Sequence, residues 1–365
     1  MWAVKPLSFA LVAGATWILV DWGYLRTTLT RMPSTLTGPT AIVPYNYTAL
    51  EGASLQRWLP SGGCRRKAPI RRRATFSSQT TLVLRRNETD TDDLQNSVTV
   101  AVTMGPSRAR RWVARYLPAL ERCGFVKEIV LDTWVPIHQH WGQWVPHDKS
   151  IDGFREALHE KLRQVGSTKT RVLPGERGLG ERFYVAEYID TPFTLILDDD
   201  KTFTCADIHK FLLAARLFPR RIISVHENRR TIRRCVDGTK TTLYYGTEND
   251  SDQDNIALTS AALMSTSLLL AYMKLVPRPV IDLINRERNC EDMLFNWLTA
   301  YISGDEQEAC VIVEDSSLYG FDGGKESLSW RGDHMPKRDG CLNLLREVFP
   351  DWPIPRPSSF RVRVE

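Results

Sequence analysis

The sequence predicts an α/β domain built on a mixed, mostly parallel sheet with helices on both faces, and three observations carry that prediction. The apolar run from Phe193 to Leu197 is too short for a helix, as expected of a strand buried on both of its faces. Alternating β-branched residues from Ser97 to Val102 read as a first strand. A basic helix follows from Arg108 to Cys123, with Trp112, Tyr116 and Leu120 at fours on one face. Lys127 to Asp132 and Thr170 to Leu173 then give second and third strands, so strand alternates with helix, the arrangement of parallel sheets. No internal repeat is visible.

With 365 residues and 42% hydrophobic content the chain has the material for one large core or two small ones, which excludes a wholly disordered protein. The net charge of +5 owes much to Cys64 to Arg86, where Arg65-Arg66-Lys67, Arg71-Arg72-Arg73 and Arg85-Arg86 lie among Pro, Gly, Ser and Thr. Without interleaved aromatics this is a solvated linker and not a nucleic-acid surface.

Residues 1–5 read as a short tail, and 6–24 as an apolar segment of about the ~20 residues that cross a bilayer. A cleaved signal peptide ending near Ala13-Gly14-Ala15 is the alternative. The apolar character running on through Trp17-Ile18-Leu19-Val20 and Trp22 favours an uncleaved anchor. The sequons at Asn46, Asn87 and Asn249 favour a lumenal head, hence a single-pass type II topology. Residues 25–96 read as a stem, 97–356 as the globular domain and 357–365 as a tail.

The seven cysteines show no metal-finger spacing. A lumenal site permits disulfides, and the odd count leaves at least one thiol unpaired or intermolecular; Cys64 in the linker is the candidate for a bond between chains, in a homo- or hetero-dimer.

Asp198, Asp199 and Asp200 stop the apolar run at the carboxyl end of its strand, where open α/β sheets bind ligands. Three adjacent carboxylates need a cation or donors to compensate them. Helix capping does not require them, because Thr204 and Asp207 already form a capping box for the next helix. In extended chain Asp198 and Asp200 point to one side and Asp199 to the other. Oxygen ligands suit Mn or Mg better than zinc. An EF-hand is excluded, since its sixth position lacks Gly and His209 stands where its bidentate Glu belongs.

The loop WVPIHQHWGQWVPHDK (134–149) holds three histidines without zinc-site spacing and reads as a packed surface loop. In PGERGLGERF, Gly178-Leu179-Gly180 begins a dinucleotide-like pattern that fails at Phe183. Arg177 and Arg182 are placed there either as phosphate donors or as ion-pair partners of Glu176 and Glu181.

Five segments together resemble the exostosin-like glycosyltransferases, the family of the exostosin C-terminal domain: ERGLGERF (176–183), LILDDDK (195–201), FPRRIIS (218–224) with LTSAAL (258–263), NCEDMLFNWLTA (289–300) and SWRGDHMPKRDGCLNLLREVFPDWPIP (329–355). The resemblance implies a GT-A fold, Golgi or endoplasmic-reticulum membrane residence, a UDP-sugar donor, Mn2+ or Mg2+, and retention of configuration. The acceptor it implies is a glycan, proteoglycan-like chain or glycolipid.

Carried over by residue, Asp198 is similar to the acid on the nucleoside and Asp200 to the metal ligand, with Asp199 and Glu291 beside them in the substrate site. Arg182 is similar to the donor-binding arginine and Arg108 to an early nucleotide-site arginine. Asp292 and Arg338 match the acid and arginine at the reacting sugar and diphosphate. A Cys290 to Cys341 disulfide would bring those two into one neighbourhood. Asn289 as an N-cap, with acids in the first turn, is the purely structural reading of that segment. An ion pair with Asp333 or Asp339 is that of Arg338.

The chain departs from the family pattern in Glu291, where aspartate is common, in Asp132-Thr133-Trp134 and Arg177, where asparagines are usual, and in the added 134–149 loop. The stretch before residue 97 is too short for the second glycosyltransferase domain of the bifunctional exostosins. The rival reading from another class is a catalytically silent glycan-binding or partner subunit.

Overall fold

The computed structural model describes residues 8–13, 16–21, 47–60, 80–84, 97–133, 150–173, 178–237, 240–246, 254–304, 307–320 and 332–364. The strands are β1 (Ser8–Ala13), β2 (Thr16–Asp21), β3 (Thr80–Leu84), β4 (Val98–Met104), β5 (Val126–Thr133), β6 (Thr170–Val172), β7 (Phe193–Asp198) and β8 (Lys201–Thr202). They continue with β9 (Ile222–Ser224), β10 (Arg229–Asp237), β11 (Lys240–Gly246), β12 (Asp254–Ala257), β13 (Ala261–Ser265), β14 (Cys310–Val313), β15 (Tyr319–Gly320) and β16 (Phe360–Val364). The α-helices are α1 (Pro106–Arg115), α2 (Leu117–Glu121), α3 (Ile151–Gln164), α4 (Cys205–Leu217), α5 (Thr266–Leu275), α6 (Arg278–Glu287), α7 (Glu291–Ile302) and α8 (His334–Val348).

The main sheet runs β2-β1-β3-β16-β14-β9-β13-β7-β4-β5-β6, and β4 is parallel to both β5 and β7. The chain steps outward from β4 through β5 to β6, then returns to place β7 on the other side of β4. Strand order therefore reverses between β4 and β7, and the crevice beyond the carboxyl ends of such a pair is where open α/β sheets bind ligands. β13 inserts antiparallel beside β7, while β9, β14, β16 and β3 continue in parallel.

Two cores lie on the two sheet faces, as the α/β pattern predicts. Val98, Val100 and Val102 face one core with Trp112, Phe154, Leu158 and Phe211 of the early helices. Ala101, Val130 and Ile196 face the other, with Tyr272, Ile281, Phe295, Trp297 and Leu345 of the later ones. The alternation along β4 sends its side chains to opposite faces.

Several elements differ from the sequence reading. The helix expected over 108–123 is two helices interrupted at Tyr116, because Pro118 lacks the N–H that a continuous helix needs there. Trp112, Tyr116 and Leu120 are nevertheless all buried.

The stretch read as stem is partly integral to the domain. β3 lies in the main sheet, and Leu50 and Leu55 are buried in the second core. Arg286 donates to the Leu50 and Ala53 carbonyls, and Trp58 Nε1 donates to Glu347 at 2.9 Å. The tail expected over 357–365 contributes β16, paired between β14 and β3.

Where a membrane helix is expected over 6–24, the backbone of β1 and β2 pairs as an antiparallel hairpin added to the free edge of β3. β-branched and aromatic residues in this segment fit a strand as well as a helix. Among the described residues no helix is long and apolar enough to cross a membrane. The sequon asparagines, Cys64, Arg177 and the 134–149 loop lie outside the described residues.

Candidate active site

The aspartate triplet sits at the mouth of the crevice, and each acid has its own surroundings. Asp198 ends β7, its N–H donating to the Ser260 carbonyl at 2.7 Å, and its carboxylate accepts from Arg182 Nη2 at 2.7 Å. Asp199 turns inward and accepts from the Gly105 N–H and from Arg108 Nη1, both at 2.9 Å. Asp200 lies 3.3 Å from the same Arg108 nitrogen. The alternation expected for the triplet stops at Asp198 because the strand ends there, and one guanidinium from the first turn of α1 serves both later acids.

Burial outweighs Arg108 and Gly105 at Asp199 and lifts its pKa to about 6. Burial together with Asp198 also raises that of Asp200.

Arg182 comes from the 3-10 stretch Leu179–Tyr188, which the two glycines allow to lie against α6. A Cβ on Gly178 would sit 2.2 Å from the Asn285 side chain, and the Gly180 N–H donates to Asn285 Oδ1 at 2.7 Å. The Gly-x-Gly element thus permits a close packing contact with α6. Arg182 itself is buried. Burial opposes its charge, but Asp198, Glu291 and Asp292 outweigh it and leave its pKa above the ordinary arginine value. Its guanidinium therefore lies in the field of both acid groups, the triplet and the start of α7.

The second group is built by α7 and α8. Arg338 Nη1 donates to Asp292 Oδ2 at 2.7 Å, while Asp333 pairs with Lys337 and Asp339 accepts the Tyr245 N–H. Burial works against the Arg338 charge and Asp292 more than restores it, so its pKa is raised. A disulfide joins Cys290 to Cys341 with Cα atoms 5.5 Å apart, locking the two helices together beside this pair.

Cys290 holds the N-cap position of α7 at φ 88°, and Asn289 Oδ1 accepts the Cys290 N–H at 3.0 Å. The N-cap expected at Asn289 is therefore displaced by one residue. Asp292 Oδ1 accepts from the Met293 N–H at 2.8 Å, and Asn296 holds the Asp292 carbonyl and the Ala257 backbone.

Glu291 is buried with no hydrogen-bond partner for Oε2 among the described residues. Burial and the neighbouring Asp292 lift its pKa to about 7 against the pull of Arg338 and Arg182.

Two members of the site escape sequence reasoning. Tyr245 of β11 lies with its ring centroid 4.6 Å from the Arg338 guanidinium carbon, and His334 Nε2 accepts from Arg338 Nε at 3.1 Å. The placement of His334 four residues before Arg338 on one helix was a legible signal. Tyr245 carried none, since only α8 puts it there: Asp339 accepts the Tyr245 N–H at 2.7 Å and Asn343 the Leu243 N–H at 3.0 Å.

For a divalent cation the residues present are few. Among the described residues no three His, Cys, Asp or Glu side chains form a cage. Asp200 Oδ1 is buried without a hydrogen-bond partner, with the Lys201 Nζ cation 3.9 Å away, which fits one protein carboxylate completing a shell that a ligand's own oxygens mostly supply.

Residues 102–363 match the Glycosyl transferase family 64 domain. The chain belongs to that family. It is 28% identical over 250 residues to "Glucosamine inositolphosphorylceramide transferase 1" of Arabidopsis thaliana, covering 66% of this chain and 29% of that protein. With "Exostosin-like-3 homolog" of Caenorhabditis elegans it shares 27% over 190 residues, covering 51% and 22%. "Glycosylinositol phosphorylceramide mannosyl transferase 1" of Arabidopsis thaliana is 22% identical over 222 residues, covering 60% and 65%. The chain thus spans less than a third of the first two relatives.

Proposed function

We propose that the chain is a GT-A-type, retaining, metal-dependent α-glycosyltransferase. It moves a sugar, with N-acetylhexosamine favoured, from a UDP-sugar to a glycan or glycolipid acceptor on the lumenal side of the secretory pathway. The observation that carries the reading is that two charge groups act on one buried arginine, the first of them at the switch point between β4 and β7. Asp198, Asp199 and Asp200 with Arg108 form one, Asp292 and Glu291 with Arg338 the other, and Arg182 stands in the field of both.

Cleavage of a sugar to diphosphate bond leaves negative charge on the departing oxygen, and donors already in place stabilise it without reorganisation. Arg338 and Arg182 are such donors, each anchored to a carboxylate. Mn2+ or Mg2+ on Asp200 would act as a Lewis acid toward the diphosphate. Asp292, fixed by Arg338 and by its own helix start, orients the acceptor hydroxyl on the face that the diphosphate leaves. The leaving diphosphate then accepts the hydroxyl proton.

Two of the relatives are inositolphosphorylceramide transferases by name, which supports a glycolipid among the acceptors to try first. Two disulfides in the described region suit an oxidising compartment. An anchor in the Golgi or endoplasmic-reticulum membrane belongs to the same proposal.

The test is release of UDP from a panel of UDP-sugars by the purified chain, with Mn2+ and with chelator, in the presence of glycan and glycolipid acceptors. Acceptor-stimulated, metal-dependent release of UDP supports the reading. A folded chain that binds glycans but releases UDP from none of the panel points to a silent binding subunit.

A further inference from the structure

We propose that His334 is the positioning residue of Arg338, holding its guanidinium in one plane by a neutral acceptor so that its charge stays available to the substrate. This rests on the glycosyltransferase reading above. Arg338 is held at three places. Nη1 donates to Asp292 Oδ2 at 2.7 Å, Nε donates to His334 Nε2 at 3.1 Å, and Tyr245 lies against one face with its ring centroid 4.6 Å away.

A single bond to Asp292 would leave the guanidinium free to rotate about that contact. The second bond, on Nε, removes the rotation, and the tyrosine ring closes one face. Nη2 is left with no protein hydrogen bond among the described residues and is the group presented to a ligand oxygen.

The chemistry of the partner matters as much as its position. The bond needs an imidazole lone pair on Nε2, so the ring is neutral with its proton on Nδ1, and Asn289 Nδ2, 3.4 Å from that Nδ1, makes a contact there and not a hydrogen bond. A carboxylate at this place would also accept from Nε. Together with Asp292, however, it would set two negative charges on one guanidinium and cancel the attraction for an anionic leaving group. A neutral acceptor fixes the geometry and leaves the charge. The ring is held in turn by its backbone, since Asn289 Nδ2 donates to the His334 carbonyl at 3.1 Å. Asn289 adjoins Cys290, whose disulfide to Cys341 ties the same two helices.

Three variants of the full chain separate positioning from simple packing. His334→Leu keeps the bulk and removes the acceptor, His334→Gln restores a neutral acceptor, and His334→Glu supplies a charged one. Turnover and KM for the UDP-sugar are measured with Mn2+ present, alongside the hydrogen exchange of the Arg338 Nε–H by NMR. Misplacement of a group near the chemistry costs up to about 100-fold, so His334→Leu is expected to lower kcat about 10-fold to 100-fold with KM within about 3-fold. The Arg338 Nε–H should exchange fast in this variant.

His334→Gln should regain most of kcat and the slow exchange. His334→Glu should regain the slow exchange but not kcat. Wild-type turnover and KM in His334→Leu would overturn the inference alone, as would a folded His334→Gln no better than His334→Leu. A wild-type chain that turns over no UDP-sugar would remove the glycosyltransferase reading and this inference with it.

Discussion

Arg338 and Asp292 face each other at 2.7 Å with both side chains almost fully buried, 9% and 3% exposed. Such a pair is costly to break from one side, because the partner is left as an uncompensated buried charge; the penalty is about 3 to 5 kcal/mol. Asp292→Ala should therefore lower stability by about that much, and Asp292→Ala/Arg338→Ala by less than the sum of the single changes. Denaturant titration of the three variants checks this. Turnover should be lost in all of them.

The two disulfides joining described residues are expected to separate stability from chemistry. Cys290→Ser/Cys341→Ser opens a loop of 51 residues, worth about 4 kcal/mol in the chain-entropy account. It also frees the helix starts that carry Asp292 and Arg338, so kcat should fall with stability. Cys123→Ser/Cys205→Ser removes a bond of sequence separation 82 that ties α4 to the end of the α2 segment. Its stability loss should be similar and its loss of kcat smaller. Melting temperature and UDP release, measured side by side, give the comparison.

Glu291 sets a pH dependence of known sign. Its pKa is raised to about 7 in the folded state from an ordinary 4.5, so between those values the folded protein holds a proton that the unfolded chain has lost. Stability from this group is present below about pH 4.5 and declines as pH rises through about 7. Glu291→Gln, which cannot ionise, should raise the melting temperature at pH 8 relative to wild type and change it little at pH 4.5. A melting series across that range decides the point.

His334 contributes with the opposite slope. Its pKa is lowered to about 4 from 6.5 by burial and by Arg338, so the unfolded chain binds the proton first as pH falls. Stability is lost from about pH 6.5 down to about 4, and His334→Gln should flatten that limb of the melting curve.

Much of this was legible in the sequence because it depends on local order. The carboxyl end of β7, the Thr204 to Asp207 capping box and the run of strands and helices around β4 and β5 each follow from neighbours within a few residues. The spacing of Cys290 from Asp292 and of Cys341 from Arg338 carried over to a real bridge.

What sequence could not supply are contacts across the chain. Tyr245 reaches Arg338 only because Asp339 and Asn343 hold the edge of β11. Residues 47–60 join the fold only because Leu50, Leu55 and Trp58 find a surface on the C-terminal helices. That segment is short and mixed in character, so its periodicity says nothing about docking. The turn after β7 likewise broke a pattern that assumed extended chain, giving Asp199 and Asp200 the same arginine.

If the triplet seats a metal-bound nucleotide diphosphate, UDP binding depends on the metal and on Asp200, and calorimetry reads both. Titrations are run with Mn2+ and with chelator on wild type, Asp200→Ala and Asp199→Asn. The account predicts Mn2+-dependent binding to wild type and its loss in Asp200→Ala. Asp199→Asn should be no less stable than wild type at pH 8, since burial lifts the Asp199 pKa to about 6 against its Gly105 and Arg108 bonds. UDP binding that is equal with Mn2+ and chelator, or that survives unchanged in a folded Asp200→Ala, would contradict it.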